Sequence, residues 1–412
     1  MKKISTILTV FILWGQSSLF LKAQNIHPKL LPYYQVLKTQ GKSPIDFMRE
    51  KISRYDLLIF DDALHPAQEP FDFYQQLIRD AVFGQKLHYV FLEILPVTAQ
   101  RHLDAFLNAP TKNHQLLYPA FQQTFDGYAS NYKTYFDLLE AVWEVNQQLP
   151  DSDKIRVMGT DIPLLWAGIE YKTDWQNFRK TLKGRDYNLY RVILDAMKGF
   201  KQGKKGIFLT NTRHAYKGVR NKQGDFHWNC GTFFAQNHPG KTYAIRIHNI
   251  SLDIYKQVKK EAQTAQGLDR VKYRWIRMEQ GIWDAAFEAL GEKPVTISLK
   301  GNVFGKAAYL GNHSLTAREG QTMFDAYDAL VMLKPLEQLH FSGRVGAVYT
   351  LDFQQEMIRR LKVLNNPTEI KALLKQHNMA SLKAYVKSLA KDAPAKPNPL
   401  IKLLGSKEAW KK

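Results

Sequence analysis

The chain has 412 residues, 45% of them hydrophobic and 12% aromatic, which is enough for a large buried core and too apolar for intrinsic disorder. Its formal net charge is +20, but the Lys and Arg are spread along the chain and no recognised nucleic-acid module is present, so nucleic acid is not an expected partner. Cys230 is the only cysteine, which excludes a disulfide within one chain.

The opening MKKISTILTVFILWGQSSLFLKAQ sets Lys2 and Lys3 before an apolar run from Ile4 to about Trp14, then leaves through small residues toward Ala23 and Gln24. That pattern reads as a signal peptide over 1–24, because its apolar part is shorter than the roughly 20 residues a membrane span needs. The expected product is soluble, in a periplasm or outside the cell, and no cysteine stands at the cleavage point to carry a lipid.

Residues 30–51 read as a helical lead-in, and 56–60 (DLLIF) as a strand that runs into Asp61, Asp62 and His65. Phe71, Tyr74, Leu77, Ile78 and Ala81 give helical spacing over 71–83, with Gly84 placed to stop it. A second strand over 87–95 delivers Glu93, and a helix follows over 98–107. Residues 118–149 form a helical insertion rich in aromatics, among them Phe121, Tyr128, Tyr132, Tyr135, Phe136 and Trp143; such a row is either core or the wall of a pocket. A third strand (IRVM) leads through Gly159 and Thr160 to Asp161, helices follow over 175–182 and 186–199, and a fourth strand (GIFL) leads to Asn211 and His214. A Gly, Asn, His and Trp-rich loop is expected over 216–240, a strand over 243–248, a helix over 250–266 and a late strand over 329–333. From Leu351 the pattern is helical and basic, with a Pro-rich linker over 392–399.

Strands alternating with helices predict an α/β fold: a mainly parallel central sheet flanked by helices, with the helical insertion near 118–149 and a basic helical C-terminal tail. The expected domains are the signal segment 1–24, an α/β domain over 25–350 and the tail over 351–412. That tail is a solvated basic face or, alternatively, a contact for an anionic surface.

In a parallel sheet the apolar runs are buried on both faces, so the first polar residues appear where strands end, and ligands bind at that carboxyl edge. His65, Glu93, Asp161 and His214 are therefore expected to meet in one cleft. Asp62 near His65 suits a general base or a metal ligand, while Glu93 inside YVFLEIL would be costly to bury alone. Asp161 either caps the next helix or acts. Asn211 offers amide donors and Arg213 a cationic fork to a carboxylate or an oxyanion. Arg185 and Asp186 open a helix as a cap, and His227, His238 and His248 read as surface or core. Metalloprotease, Cys-zinc and EF-hand signatures, the Ser nucleophile elbow and phosphate-binding Gly loops do not occur in the sequence.

The ordered blocks FDDALHP, VFLEIL, IRVMGTDIP, GRDYNLYRVILDAM and GIFLTNTRHAY resemble those of the erythromycin esterase-like proteins and their ChaN-like haem-binding relatives of the Tiki superfamily, over about half of the chain. The resemblance implies that His65 matches the family's catalytic base or ligand, Glu93 its acid after the second strand and His214 its second imidazole. Asp62 stands where Glu is usual, Asp61 where Gly is usual and Pro66 where the esterases often have Gly. The implied function is an exported hydrolase acting on a small-molecule ester or amide, with water activated by His65 and supported by Asp62 or Glu93, and no cofactor required. The resemblance also implies two alternatives: a haem-binding protein with the insertion's aromatics over the porphyrin, or a protease using the same acids and imidazoles around a divalent metal.

Overall fold

A computed structural model describes residues 26–125, 128–257 and 271–405; the expected signal segment lies outside them. Nine strands matter for the site: β1 Leu57–Asp61, β2 Leu87–Pro96, β3 Arg156–Asp161, β4 Lys205–Thr210, β5 Thr242–Ile247, β6 Ser251–Gln257, β7 Val271–Ile276, β8 Val295–Ser298 and β9 Ala329–Met332. Seven form one sheet in the order β3-β2-β4-β1-β5-β9-β8, parallel throughout except for β8 at the edge.

The central strands are apolar on both faces, and each face has its own core. Leu58 and Phe60 of β1 join Val90, Leu92, Ile207 and Leu209 beneath the helices Gln68–Arg79 and Lys133–Asn146. Leu57 and Ile59 point the other way and join Phe91, Phe208 and Ala244 beneath Arg185–Ala196 and Ile282–Ala289. This two-sided burial is the physical reason that the apolar runs in the sequence were legible as parallel strands.

Several expectations change. The lead-in splits into Leu31–Gln40 and Pro44–Arg54, since Gly41 breaks the chain and Pro44 suits a first helical position. The helix expected to reach 83 stops at Arg79, because Asp80 turns to cap a further turn by accepting from the Phe83 N–H at 2.8 Å. The helix expected over 250–266 is a strand where it is described: β6 pairs antiparallel with β7, setting Leu252 opposite Trp275 and Ile254 opposite Tyr273. Cross-strand pairing of an alternating SLDIYKQ segment outweighs its weak helical spacing. The expected loop over 216–240 contains the helix Cys230–Asn237, whose Thr232 N–H donates to the Asn229 side chain at 2.7 Å. Asn229→Ala should therefore lower stability by about 1 kcal/mol, read as a shift in urea midpoint.

The insertion's aromatics are core: Phe121, Tyr135 and Phe136 are fully buried, and Tyr135 packs on Phe71 with ring centroids 4.4 Å apart. The tail also contributes to this core, through Phe353, Met357 and Leu361 of Leu351–Leu364 and Tyr385 and Val386 of Leu382–Leu389.

Candidate active site

Sheet register carries the strand-end residues to one place. Phe60, Leu209 and Leu92 lie in one row across β1, β4 and β2, so Asp61, Thr210 and Glu93 occupy the next row at the carboxyl edge. On the far side, β3 reaches Asp161 past an irregularity between Leu92 and Pro96. A Cβ on Gly159 would stand 2.6 Å from the Pro96 carbonyl oxygen there, so only glycine permits this close approach.

Glu93 is the centre. Its Oε1 accepts from Arg185 Nη2 at 2.7 Å and lies 3.3 Å from His214 Nε2; its Oε2 accepts from Thr210 Oγ1 at 2.9 Å and lies 3.3 Å from His65 Nε2. Arg185 also grips Asp161 with Nε and Nη2 at 2.7 and 2.9 Å, and its guanidinium lies over the Phe125 ring at 4.6 Å. His214 Nδ1 faces Asp186 Oδ1 at 2.7 Å, and the same oxygen accepts from the Cys230 N–H. A carboxylate on each side of a buried imidazole is an arrangement that holds a proton.

His65 stands at the outer end. Its Nδ1 lies 3.5 Å from Asp62 Oδ2 and 3.4 Å from the Tyr135 hydroxyl, and the chain reaches it through Ala63, which adopts φ +62°. Asn211 approaches Nε2 with its amide nitrogen at 2.9 Å. The amide orientation is set by the turn Thr212–Ala215, whose Arg213 N–H occupies the Asn211 oxygen at 2.9 Å. Asn211 thus donates to Nε2 and favours the deprotonated ring, while the neighbouring carboxylates favour the protonated one. The His65 side chain is 24% exposed, against 2% for His214 and for Glu93.

The charges follow this packing. Burial raises the cost of ionising Glu93, but His214, His65 and Arg185 overcome it and hold the carboxyl well below its ordinary range. Burial likewise disfavours a charge on His65; Glu93 and Asp62 outweigh it and push the imidazole up to about 10. His214 is raised in the same way, against burial, by Asp186 and Glu93. Asp62 is lifted to about 6, mainly by burial and partly offset by His65, and neither of its oxygens makes a hydrogen bond among the described residues.

The residues expected to converge, His65, Glu93, Asp161 and His214, are thus brought together with Asp62 and Asn211. Arg213 is not: it is exposed, and among the described residues its guanidinium makes no hydrogen bond or ion pair with the cluster. Arg185 takes the cationic position instead. Its signal was an Arg-Asp pair opening an amphipathic helix shortly before β4, which reads equally well as a cap. Asp61 is an anchor, accepting from Ala63 N, Thr212 Oγ1, Arg246 and Tyr327, so its oxygens are spent on tying β1 to β4 and β5. His248 pairs with buried Asp284 at 2.9 Å, His238 meets the Tyr190 hydroxyl at 2.9 Å, and His227 stacks on His313 at 3.9 Å.

Among the described residues no group of three or more His, Cys, Asp or Glu is arranged to hold a metal ion. Arg185 is itself the cation that bridges Glu93 and Asp161. A cleft of 690 Å³ lies between Arg277, Glu279 and Tyr309, and no residue of the cluster lines it.

The fold and site define an α/β protein with a buried carboxylate–imidazole–guanidinium cluster at the carboxyl edge of a mainly parallel sheet. No family model matches the sequence, and no curated protein does. Solved structures similar to this chain include a succinoglycan biosynthesis protein (10% identity, 73% of this chain and 96% of that one, TM-score 0.49). A mutant of the erythromycin esterase EreC in its open conformation is similar at 11% identity, over 70% of this chain and 92% of that one, with TM-score 0.49. A Bacillus cereus protein is similar at 13% identity, over 75% and 99%, with TM-score 0.45.

Proposed function

We propose that this chain is an exported hydrolase of the erythromycin esterase-like type, which uses His65 to activate water against an ester or amide carbonyl without a covalent intermediate. The observation that carries the reading is the continuous contact from His65 through Glu93 to His214, in which His65 is the imidazole that reaches solvent. A general base must reach the proton it removes, and the buried Glu93 cannot.

In the resting cluster His65 holds its proton through Glu93 and Asp62. Base catalysis then runs through the fraction of protein in which Nε2 is deprotonated, and water replaces the Asn211 N–H at Nε2 as the proton is taken. Once His65 has taken the proton from water, the ionised Glu93 at 3.3 Å stabilises the imidazolium, and the proton is available to the leaving group. Asn211, with its amide nitrogen 2.9 Å from His65 Nε2, is the neutral donor assigned to the developing oxyanion, and Arg185 keeps Glu93 ionised and fixed.

The haem-binding alternative lacks this support, because the aromatics it would place over a porphyrin are packed into the core. A panel of simple esters, amides and macrocyclic lactones, followed by acid release with and without a chelator, tests the proposal. Chelator-insensitive turnover that His65→Ala abolishes is expected; no turnover of any member, or loss of turnover with chelator, would overturn it.

A further inference from the structure

The Tyr135 ring belongs to the core, but its hydroxyl reaches out of it, to 3.4 Å from His65 Nδ1. We propose that Tyr135 is a positioning residue for the hydrolytic reaction: its hydroxyl oxygen accepts the Nδ1–H of His65 and so leaves the lone pair of the neutral ring on Nε2, where water is deprotonated. The inference rests on the hydrolase reading above, and it adds the residue that sets the state of the base.

The backbone holds the two side chains at this distance. Tyr135 stands in the first turn of Lys133–Asn146, and that turn is fastened to the same short segment as the chain leaving His65. The Ser342 N–H donates to the Pro66 carbonyl at 2.6 Å, and the Ser342 Oγ accepts from the Thr134 N–H at 3.1 Å. Beside it, the Gly343 carbonyl accepts from the Lys133 N–H at 2.9 Å. Ser342 is buried, so water does not compete for these bonds, and one residue sets the base and the hydroxyl in register.

The direction of the hydrogen bond follows from the other ring nitrogen. Asn211 sets its amide nitrogen 2.9 Å from Nε2, and its oxygen is already taken by the Arg213 N–H. A neutral ring protonated at Nε2 would therefore face a second donor there, so its proton belongs on Nδ1, which needs an acceptor. Asp62 Oδ2, at 3.5 Å, supplies charge but makes no hydrogen bond among the described residues, and the Tyr135 oxygen is the other group at Nδ1. Burial, with the charges of Asp62 and Glu93, raises the Tyr135 hydroxyl well above its ordinary range, and Tyr132 and Tyr74 are its other titratable neighbours. The hydroxyl thus stays neutral and supports Nδ1 without adding a further negative charge to the two already beside His65. At 3.4 Å the bond is long, and the hydrogen bonds of a general base commonly tighten only as the reaction proceeds.

The test is Tyr135→Phe, which removes the oxygen and keeps the ring against Phe71. Two readouts are compared with the wild type: the titration of His65 by NMR on the full chain, its signal identified by its absence from His65→Gln, and the pH profile of methyl butyrate hydrolysis in a pH-stat. Losing the acceptor withdraws support from the charged ring, so the His65 midpoint should fall by about one pH unit. At the plateau kcat should fall about tenfold while KM stays within about twofold, because the hydroxyl acts through His65 rather than on the substrate. A tyrosine that only fills the core would move neither. An unchanged His65 midpoint, or a lowered midpoint with kcat intact, overturns the inference. If the wild type hydrolyses no ester, the hydrolase reading fails, and the NMR titration alone decides whether Tyr135 sets the state of His65: a midpoint that falls in Tyr135→Phe upholds it, and an unchanged one overturns it.

Discussion

Replacing Arg185 with methionine is expected to lower stability by about 3–5 kcal/mol, the usual cost of removing one partner from a buried ion pair. The guanidinium is about nine-tenths buried and satisfies Glu93 and both oxygens of Asp161, whose side chains are each 2% exposed. Without it, Glu93 keeps only the two imidazoles as counter-charges and Asp161 has no cation within reach in the cluster. A hydrophobic side chain of similar length preserves the packing under Phe125, so the loss reports electrostatics rather than a cavity. The readout is the urea midpoint at constant slope. Arg185→Lys should recover part of the stability, since it restores charge but not the two-pronged grip on Asp161. A midpoint unchanged in the methionine variant would mean that the carboxyls are neutral in the folded protein.

The second large effect is on activity. His65→Ala should lower ester turnover by about a hundredfold or more, the ordinary contribution of a general base. Its effect on stability depends on pH. The folded imidazole is raised to about 10 from an unfolded value near 6.5, so its stabilising contribution is fully present below about 6.5 and fades as the pH climbs through about 10. The variant should therefore be less stable than the wild type at pH 6 and nearly equal to it above pH 10. Because Glu93 and Asp62 lose the imidazolium that they hold protonated, the difference at low pH should be readable as a fall in the urea midpoint that vanishes above pH 10. Equal loss of stability and turnover at all pH values would make His65 a structural residue.

Much of this arrangement was legible in the sequence for one reason: central parallel strands are apolar on both faces, so their ends are marked by the first ionisable residue. Glu93, Asp161 and the His214 turn were located by that logic, and the sheet register accounts for their meeting. Arg185 was not legible, because a helix-opening Arg-Asp pair has the same composition whether it caps the helix or reaches across to another strand's carboxylate. Asp61 and Asp62 are adjacent and alike in sequence, yet one is fully hydrogen-bonded by Thr212, Arg246 and Tyr327 while the other makes no hydrogen bond among the described residues. Only partners distant in sequence separate them. β6 was misread because its pairing partner lies across residues 258–270, and local spacing carries no trace of a cross-strand Trp275 or Tyr273. β8 was missed for a related reason: four residues at a sheet edge are too few for periodicity to register.

The central claim is that His65 exchanges the reacting proton under the control of the carboxylates beside it. The most direct test is the pH dependence of kcat/KM for ester hydrolysis in the wild type and in Asp62→Asn, a substitution that removes a charge 3.5 Å from Nδ1 at an oxygen with no hydrogen bond to lose. The wild-type rate should climb with pH, bend near 10 and level off above it, and in Asp62→Asn the same limb should move toward lower pH, in the direction of an ordinary histidine. Superimposable profiles for the two proteins would contradict the account.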